Sequence, residues 1–238
     1  MAEVLSVRGL VAGYGDNTVL HGVDLTLSRG TWTTIIGANG AGKSTLLKAV
    51  AGIVPLRAGR VVFEGRDLTG SNAVERLRGG LGHVPQGRCN FPLLTVAENL
   101  RLGGYTRELN DSQFRSESEA LLSRFPRLRE RWNVPAGNLS GGEQQLLEMA
   151  MVLMAKPRLL LLDEPSLGLA PGAMQTVFAI ARSLADEGVT LLMVEQNARQ
   201  ALEHCDVGVV LDLGRVSLVE PAGRILEHPD IRRSFLGV

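Results

Sequence analysis

Nine consecutive residues, Gly37-Ala38-Asn39-Gly40-Ala41-Gly42-Lys43-Ser44-Thr45, have the types and spacing needed to hold a polyphosphate. They fit the pattern G-x-x-x-x-G-K-[ST] in full. Glycines let the backbone bend until successive N–H groups face one anion, and a helix starting at the lysine would add its positive end. In this pattern the lysine reaches the β- and γ-phosphates, and the Ser44 hydroxyl is a ligand for Mg²⁺. The preceding "TWTTII" reads as a strand and the following "STLLKAVAG" as a helix, which is the context the pattern requires.

A second constellation lies far along the chain. "LLLLDEPS", residues 159–166, runs four leucines into Asp163 and Glu164. Leucines at that density want burial, and carboxylates ending a buried run are costly unless a cation meets them. A bound Mg²⁺ would supply that charge for Asp163, and the expected contact is through a water molecule because the ion keeps several of its own. Side chains alternate along a strand, so Glu164 is expected to aim elsewhere than Asp163. Its expected task is to face the γ-phosphate and orient or deprotonate the attacking water. The competing reading is a surface glutamate at a strand end.

The elements that must position these groups alternate along most of the chain. "LSVRGLVAGYG" and "NTVLHGVDLTL" are strand-length β-rich runs, and the first helix is expected to end at Gly52. "GRVVFEG" follows as a strand. From about residue 92 to 155 the periodicity becomes helical. Thr95 and Glu98 form a capping box, and Pro126 precedes the arginine-rich "RLRERW". The last third returns to alternation: a strand at 159–163, a helix at about 172–187, the strand "VTLLMVE", the helix "NARQALEHC" and the strand "VGVVLDL". Strands apolar along their whole length predict a parallel sheet covered on both faces. The expected fold class is α/β: a phosphate-loop core with a parallel sheet, an N-terminal antiparallel β subdomain and an inserted α-helical subdomain. Residues 1–86 and 156–238 would form the core, and about 87–155 the insertion.

Composition narrows the class further. With 238 residues and 45% hydrophobic content the chain suits one core with a subdomain. Lys+Arg and Asp+Glu are both 25, so bulk charge gives no argument for nucleic acid or a membrane surface. Cys89 and Cys205 have no metal-ligand spacing and read as reduced thiols. No basic-then-apolar leader is visible at "MAEVLSVRGL", and the run "MAMVLMA" is far too short to span a bilayer. A soluble chain is expected, which would work at a membrane by docking onto another protein.

"LSGGEQQ", Leu139 to Gln145, carries the family resemblance. Alone, Ser140 and Glu143 make a capping box that opens the helix "EQQLLEMAMVLMA". A serine hydroxyl and two glycines at a helix N-terminus also make an anion site. With the phosphate loop before it and "LLLLDEP" after it, the chain resembles an ATP-binding cassette ATPase over nearly its whole length. The resemblance implies that Ser140, Gly141 and Gly142 close over the γ-phosphate held by a second subunit. Two ATP molecules would then be sandwiched in a head-to-tail dimer.

Three further assignments follow from that resemblance. Tyr14, in "VAGYGDNTVLHGVDL", matches the aromatic that stacks on adenine; the competing reading is a core or turn tyrosine. Gln86, in "HVPQGRCNFPLLTVAENL", matches the glutamine that senses Mg²⁺ and the γ-phosphate. It stands where core passes into insertion, so it can couple the two. "SLGLAP", Ser166 to Pro171, matches the loop that crosses the dimer seam.

One position departs from the family pattern. After "VTLLMVE" most such ATPases place a histidine against the γ-phosphate, and here Gln196 stands there. His204 is about 12 Å further along a helix and cannot substitute. Gln196 can donate a hydrogen bond but carries no charge, which implies slower hydrolysis.

"VEQNARQAL", "SLGLAP", "GRCNFPLLTV" and the ending "IRRSFLG" together resemble the smaller ATP-binding subunit of branched-chain amino acid importers. That resemblance implies a second ATPase subunit, two membrane permeases, an extracytoplasmic solute-binding protein acting indirectly, and a peripheral position on the cytoplasmic face of the inner membrane. Alternatives are an amide- or urea-type solute, an exporter subunit, a non-hydrolysing nucleotide sensor, or a soluble relative acting on DNA or ribosomes. Against the last, only 53 residues separate Gln86 from Ser140, which leaves no room for a long coiled coil.

Overall fold

The structure is a computed structural model that describes residues 2–231 and residue 233. The ending "IRRSFLG" therefore lies largely outside the described residues.

The chain begins with two long strands, β1 (Glu3–Tyr14) and β2 (Asn17–Ser28), paired antiparallel. A short buried strand, β3 (Trp32–Ile36), leads through the phosphate loop into helix α1 (Lys43–Val50). Strands β4 (Leu56–Phe63) and β5 (Arg66–Asp67) return to β1 and complete a four-stranded antiparallel sheet in the order β2-β1-β4-β5. Helix α2 (Ala73–Arg78) and strand β6 (Leu81–Val84) follow.

Between β6 and the next strand the chain is helical: α3 (Val96–Gly103), α4 (Asp111–Leu122), α5 (Pro126–Glu130) and α6 (Gly141–Leu153). The remainder alternates through β7 (Leu159–Asp163), α7 (Pro171–Asp186), β8 (Thr190–Val194), α8 (Ala198–His204) and β9 (Val207–Asp212). Strand β10 (Arg215–Pro221), helix α9 (Ala222–Glu227) and a three-residue helix, α10 (Pro229–Ile231), close the described fold.

The larger sheet has the order β10-β9-β3-β8-β7-β6. Its ladders from β9 to β6 are parallel, and β10 adds an antiparallel edge. The four leucines of β7 explain why it reads apolar throughout. Leu160 and Leu162 enter the core shared with α6 and α7, while Leu159 and Leu161 enter the core shared with α1 and the antiparallel sheet. Both faces are covered, so alternation of side chains does not produce alternation of polarity.

Helix α1 is held at its far end by a buried guanidinium. Arg76 is 1% exposed, and it donates to the Ala49, Val50 and Leu68 carbonyls at 2.9, 2.7 and 2.7 Å. A cation on the last carbonyls of a helix satisfies orphan acceptors and complements the helix dipole. The turn between β9 and β10 braces the other end. Gly214 N–H donates to the Ala41 carbonyl, and the Gly214 carbonyl accepts from His21 N–H, both at 2.9 Å. The phosphate loop is thus fastened to the antiparallel sheet and to the end of the larger sheet.

Candidate nucleotide and metal site

The phosphate loop links β3, in the centre of the larger sheet, to α1. Gly37 packs so closely that an added Cβ would lie 2.2 Å from the Leu211 carbonyl oxygen, so a side chain has no space there. Gly42 caps α1 with φ at 101°, a conformation that glycine adopts without strain. Lys43 is buried and donates to the Gly37 and Ala38 carbonyls at 2.8 and 3.1 Å, folding its ammonium back into the loop. Burial pulls its pKa down, and Glu164 and Asp163 oppose that shift.

Asp163 ends β7 at 1% exposure. Its Oδ1 accepts from the Ser44 hydroxyl at 2.8 Å, while Oδ2 is buried with no partner. Burial raises its pKa, against the Ser44 hydrogen bond and the charges of Lys48 and Lys43. A buried carboxylate oxygen with a free lone pair, beside a hydroxyl, is the donor set that a hard divalent cation takes.

Glu164 leaves the strand through a left-handed residue, with φ at 50°. Its departure from Asp163 therefore comes from this backbone turn and not from the strand alternation expected in the sequence. The Glu164 carboxylate is half-buried and accepts from the Gln86 side-chain amide at 2.8 Å. Burial raises its pKa first; Lys43 lowers it, and Asp163 raises it further. A cavity of about 310 Å³ is lined by Val19, Asn39, Gly40, Gly42, Lys43, Ser44, Thr45 and Glu164, so the two sequence constellations meet in one space.

The remaining predicted residues lie around this centre. Tyr14 ends β1 at 49% exposure. The turn behind it is gripped by Arg57, which donates to the Gly15 and Asn17 carbonyls at 2.5 and 3.1 Å and to Thr18 Oγ at 2.6 Å. Gln196 is exposed just after β8 and does not line the cavity. Ser140 is the exposed N-cap of α6, with both halves of its capping box to Glu143 present. Ser140, Gly141 and Gly142 do not line the cavity of their own chain.

A scan against family models matches residues 20–167 to the ABC transporter family. The chain belongs to that family. The cassette is 45% identical to the high-affinity branched-chain amino acid transport ATP-binding protein BraG of Pseudomonas aeruginosa, over 98% of this chain and all of that one. It is 36% identical to the probable branched-chain amino acid transport ATP-binding protein LivF of Archaeoglobus fulgidus, over 96% and 97%. Among solved structures it matches the ADP conformation of the ATP-binding cassette MJ1267, with a TM-score of 0.87, 27% identity and full coverage of both chains.

Two carboxylates near the site carry no role in the sequence reading. Glu195, at the end of β8, is 2% exposed and accepts the Ser166 N–H at 3.0 Å. Burial raises its pKa, against hydrogen bonds from Ser166 and Gln196, with Glu164 adding to the rise. Glu148, in α6, is 1% exposed. Each is the lone charge in an apolar run, a signal akin to the leucine run that ends in Asp163 and Glu164. The cassette has, among its described residues, no helix long and apolar enough to cross a membrane.

Proposed function

We propose that the cassette binds and hydrolyses ATP as one subunit of an importer for branched-chain amino acids. The observation that carries this is the common cavity of Lys43, Ser44 and Glu164, in a chain 45% identical to BraG.

Lys43 and the loop N–H groups of Gly37 to Thr45 hold the phosphates, and Tyr14 stacks on adenine. Ser44, Asp163 and the Gln86 side-chain oxygen hold Mg²⁺, whose chemistry is to neutralise phosphate charge when bound. The unpartnered Asp163 Oδ2 supports this assignment. Glu164, its pKa raised towards neutrality by burial, takes the proton of the attacking water. Gln196 contributes at most an uncharged hydrogen bond to the phosphate.

Ser140, Gly141 and Gly142 cover the γ-phosphate of a second cassette, and Ser166–Pro171 crosses the seam. The exposed hydroxyl at the start of a 13-residue helix supports that role. Residues 1–86 and 156–238 act as the nucleotide-binding core, and about 87–155 as the part that answers to it.

Two permeases hold the cassette at the cytoplasmic face of the membrane. An apolar groove of about 560 Å³, lined by Ile53, Leu77, Pro85, Phe91, Leu102 and Tyr105 among others, supports such docking. Its Pro85 and Phe91 flank the Gln86 segment, so a protein seated there would be felt at the γ-phosphate. The solute-binding protein acts through the permeases.

A nucleic-acid role has less support. Arg124, Arg127, Arg129 and Arg131 each lie within ion-pair distance of a carboxylate, on Glu187, Glu130, Glu119 and Glu143. Reconstitution with the partner cassette and permeases tests the proposal. Binding protein loaded with leucine, isoleucine or valine is expected to stimulate ATP hydrolysis and uptake. Stimulation by an amide- or urea-loaded binding protein instead would transfer the function to that solute.

A further inference from the structure

The Gln86 side chain reaches the core, but the residues that follow it are fastened elsewhere. Glu148 Oε1 accepts from Cys89 N–H at 2.9 Å, from Asn90 N–H at 3.3 Å and from Asn90 Nδ2 at 2.7 Å. The donors are adjacent residues three and four positions after Gln86. Asn99, fully buried in α3, extends the grip: its Oδ1 accepts from Phe91 N–H, and its Nδ2 donates to the Phe91, Leu94 and Thr95 carbonyls. The segment from Cys89 to Thr95 is therefore bound to the helices, and only Gly87 and Arg88 intervene before Gln86.

Glu148 lies in the helix whose N-cap is Ser140. Eight residues of helix separate the two, about 12 Å along the axis. One rigid element thus carries the serine-led N-terminus at one end and the tether of the Gln86 segment at its middle. Three donors on one buried carboxylate oxygen make that tether stiff, because charge-assisted hydrogen bonds are shorter and stronger than neutral ones.

We infer that Glu148 is a positioning residue that ties the place of Gln86 to the place of Ser140, so that α6 follows what Gln86 senses. A shift of Gln86 towards the γ-phosphate of its own chain pulls the Cys89–Asn90 turn, and through Glu148 turns the helix that covers the phosphate of the partner. The inference rests on the reading of Gln86 as the residue that senses the γ-phosphate.

The test uses the full chain and four variants: Q86A, E148A, E148Q and N90A. Glu148→Ala is expected to lower kcat about tenfold or more, the worth of a lost charge-assisted hydrogen bond, with the Kd for ATP within about twofold of wild type. E148Q retains an acceptor oxygen and the side-chain volume, and it is expected to recover much of the rate. N90A, which removes only the side-chain donor, is expected to fall between wild type and E148A. If Glu148 acts through Gln86, the Q86A/E148A pair is no slower than Q86A alone.

Additive losses in the pair, or a wild-type kcat for both E148A and E148Q, would overturn the inference. If E148A fails to fold, E148Q and N90A carry the same comparison against Q86A. A wild-type rate for Q86A itself would bring down the reading of Gln86, and with it this coupling, a result distinct from additivity.

Discussion

The Gln86 side-chain amide donates to the Glu164 carboxylate across 2.8 Å. The two residues are 78 positions apart in sequence but follow the C-terminal ends of two neighbouring parallel strands. Gln86 comes on the segment that follows β6, while Glu164 comes on a left-handed turn at the end of β7. With its amide nitrogen committed to Glu164, Gln86 keeps its oxygen for a cation or a water. The pair joins a carboxylate that lines the phosphate-loop cavity to a side-chain amide on the segment leading into the helices.

Replacing Glu164 by glutamine keeps an acceptor for the Gln86 amide and removes the carboxylate proposed as the base. Turnover is expected to fall by at least about 100-fold, the usual contribution of a positioned general base. ATP binding, measured by equilibrium titration, is expected to stay intact. Near-normal hydrolysis by the variant would remove the assignment.

Asp163→Asn removes the charge beside Ser44 while conserving shape. Mg²⁺ added with ATP is expected to raise the melting temperature of the wild-type chain well above the value with ATP alone, because a ligand of the folded state stabilises it by mass action. The variant is expected to lose most of that increment. A full Mg²⁺-dependent gain in the variant would place the ion on other ligands.

Gln196→His places an ionisable side chain two residues after the end of β8. The variant is expected to hydrolyse ATP several-fold faster in the absence of partners. An unchanged rate would exclude Gln196 from the phosphate site.

Glu195 makes stability depend on pH in a stated direction. Folding raises its pKa, chiefly by burial, so the native state holds the proton more tightly than the unfolded chain. The stabilisation is complete below the unfolded value near 4.5 and is lost as pH rises through the raised native value. Glu195→Gln keeps an acceptor for the Ser166 N–H without the buried charge. Its melting temperature is expected to exceed that of wild type by a few degrees at pH 7.5, and to converge with it below pH 4.5. A constant difference across that range would show that the buried charge is not the cause.

The phosphate loop was legible because its chemistry is contiguous: each of Gly37, Gly42, Lys43 and Ser44 is demanded by a neighbour in sequence. Capping boxes at Thr95 and Ser140 were legible for the same reason, and both are present. Glu148 and Glu195 were not assigned because their partners, backbone N–H groups and for Glu148 also the Asn90 side-chain amide, are delivered by distant segments. A lone charge in an apolar run announces that a partner exists without naming it. Helix α2 went unassigned because its six residues rest on the Asn72–Glu75 capping box and on buried Arg76, not on an apolar stripe. Strand β10 alternates exposed and half-buried residues at a sheet edge, where it adds an antiparallel partner to the parallel sheet and carries no apolar run to announce it.

Strand β3 lies between β8 and β9, both of which the ribosome makes more than 150 residues later. The loop it carries is further braced by Gly214. Although the glycines and lysine leave the exit tunnel early, their native shape must await almost the whole polypeptide. Such distant pairing is slow to establish. A nascent cassette is therefore expected to take up nucleotide only late in its synthesis, and a product cut short before β9 is expected to hydrolyse no ATP.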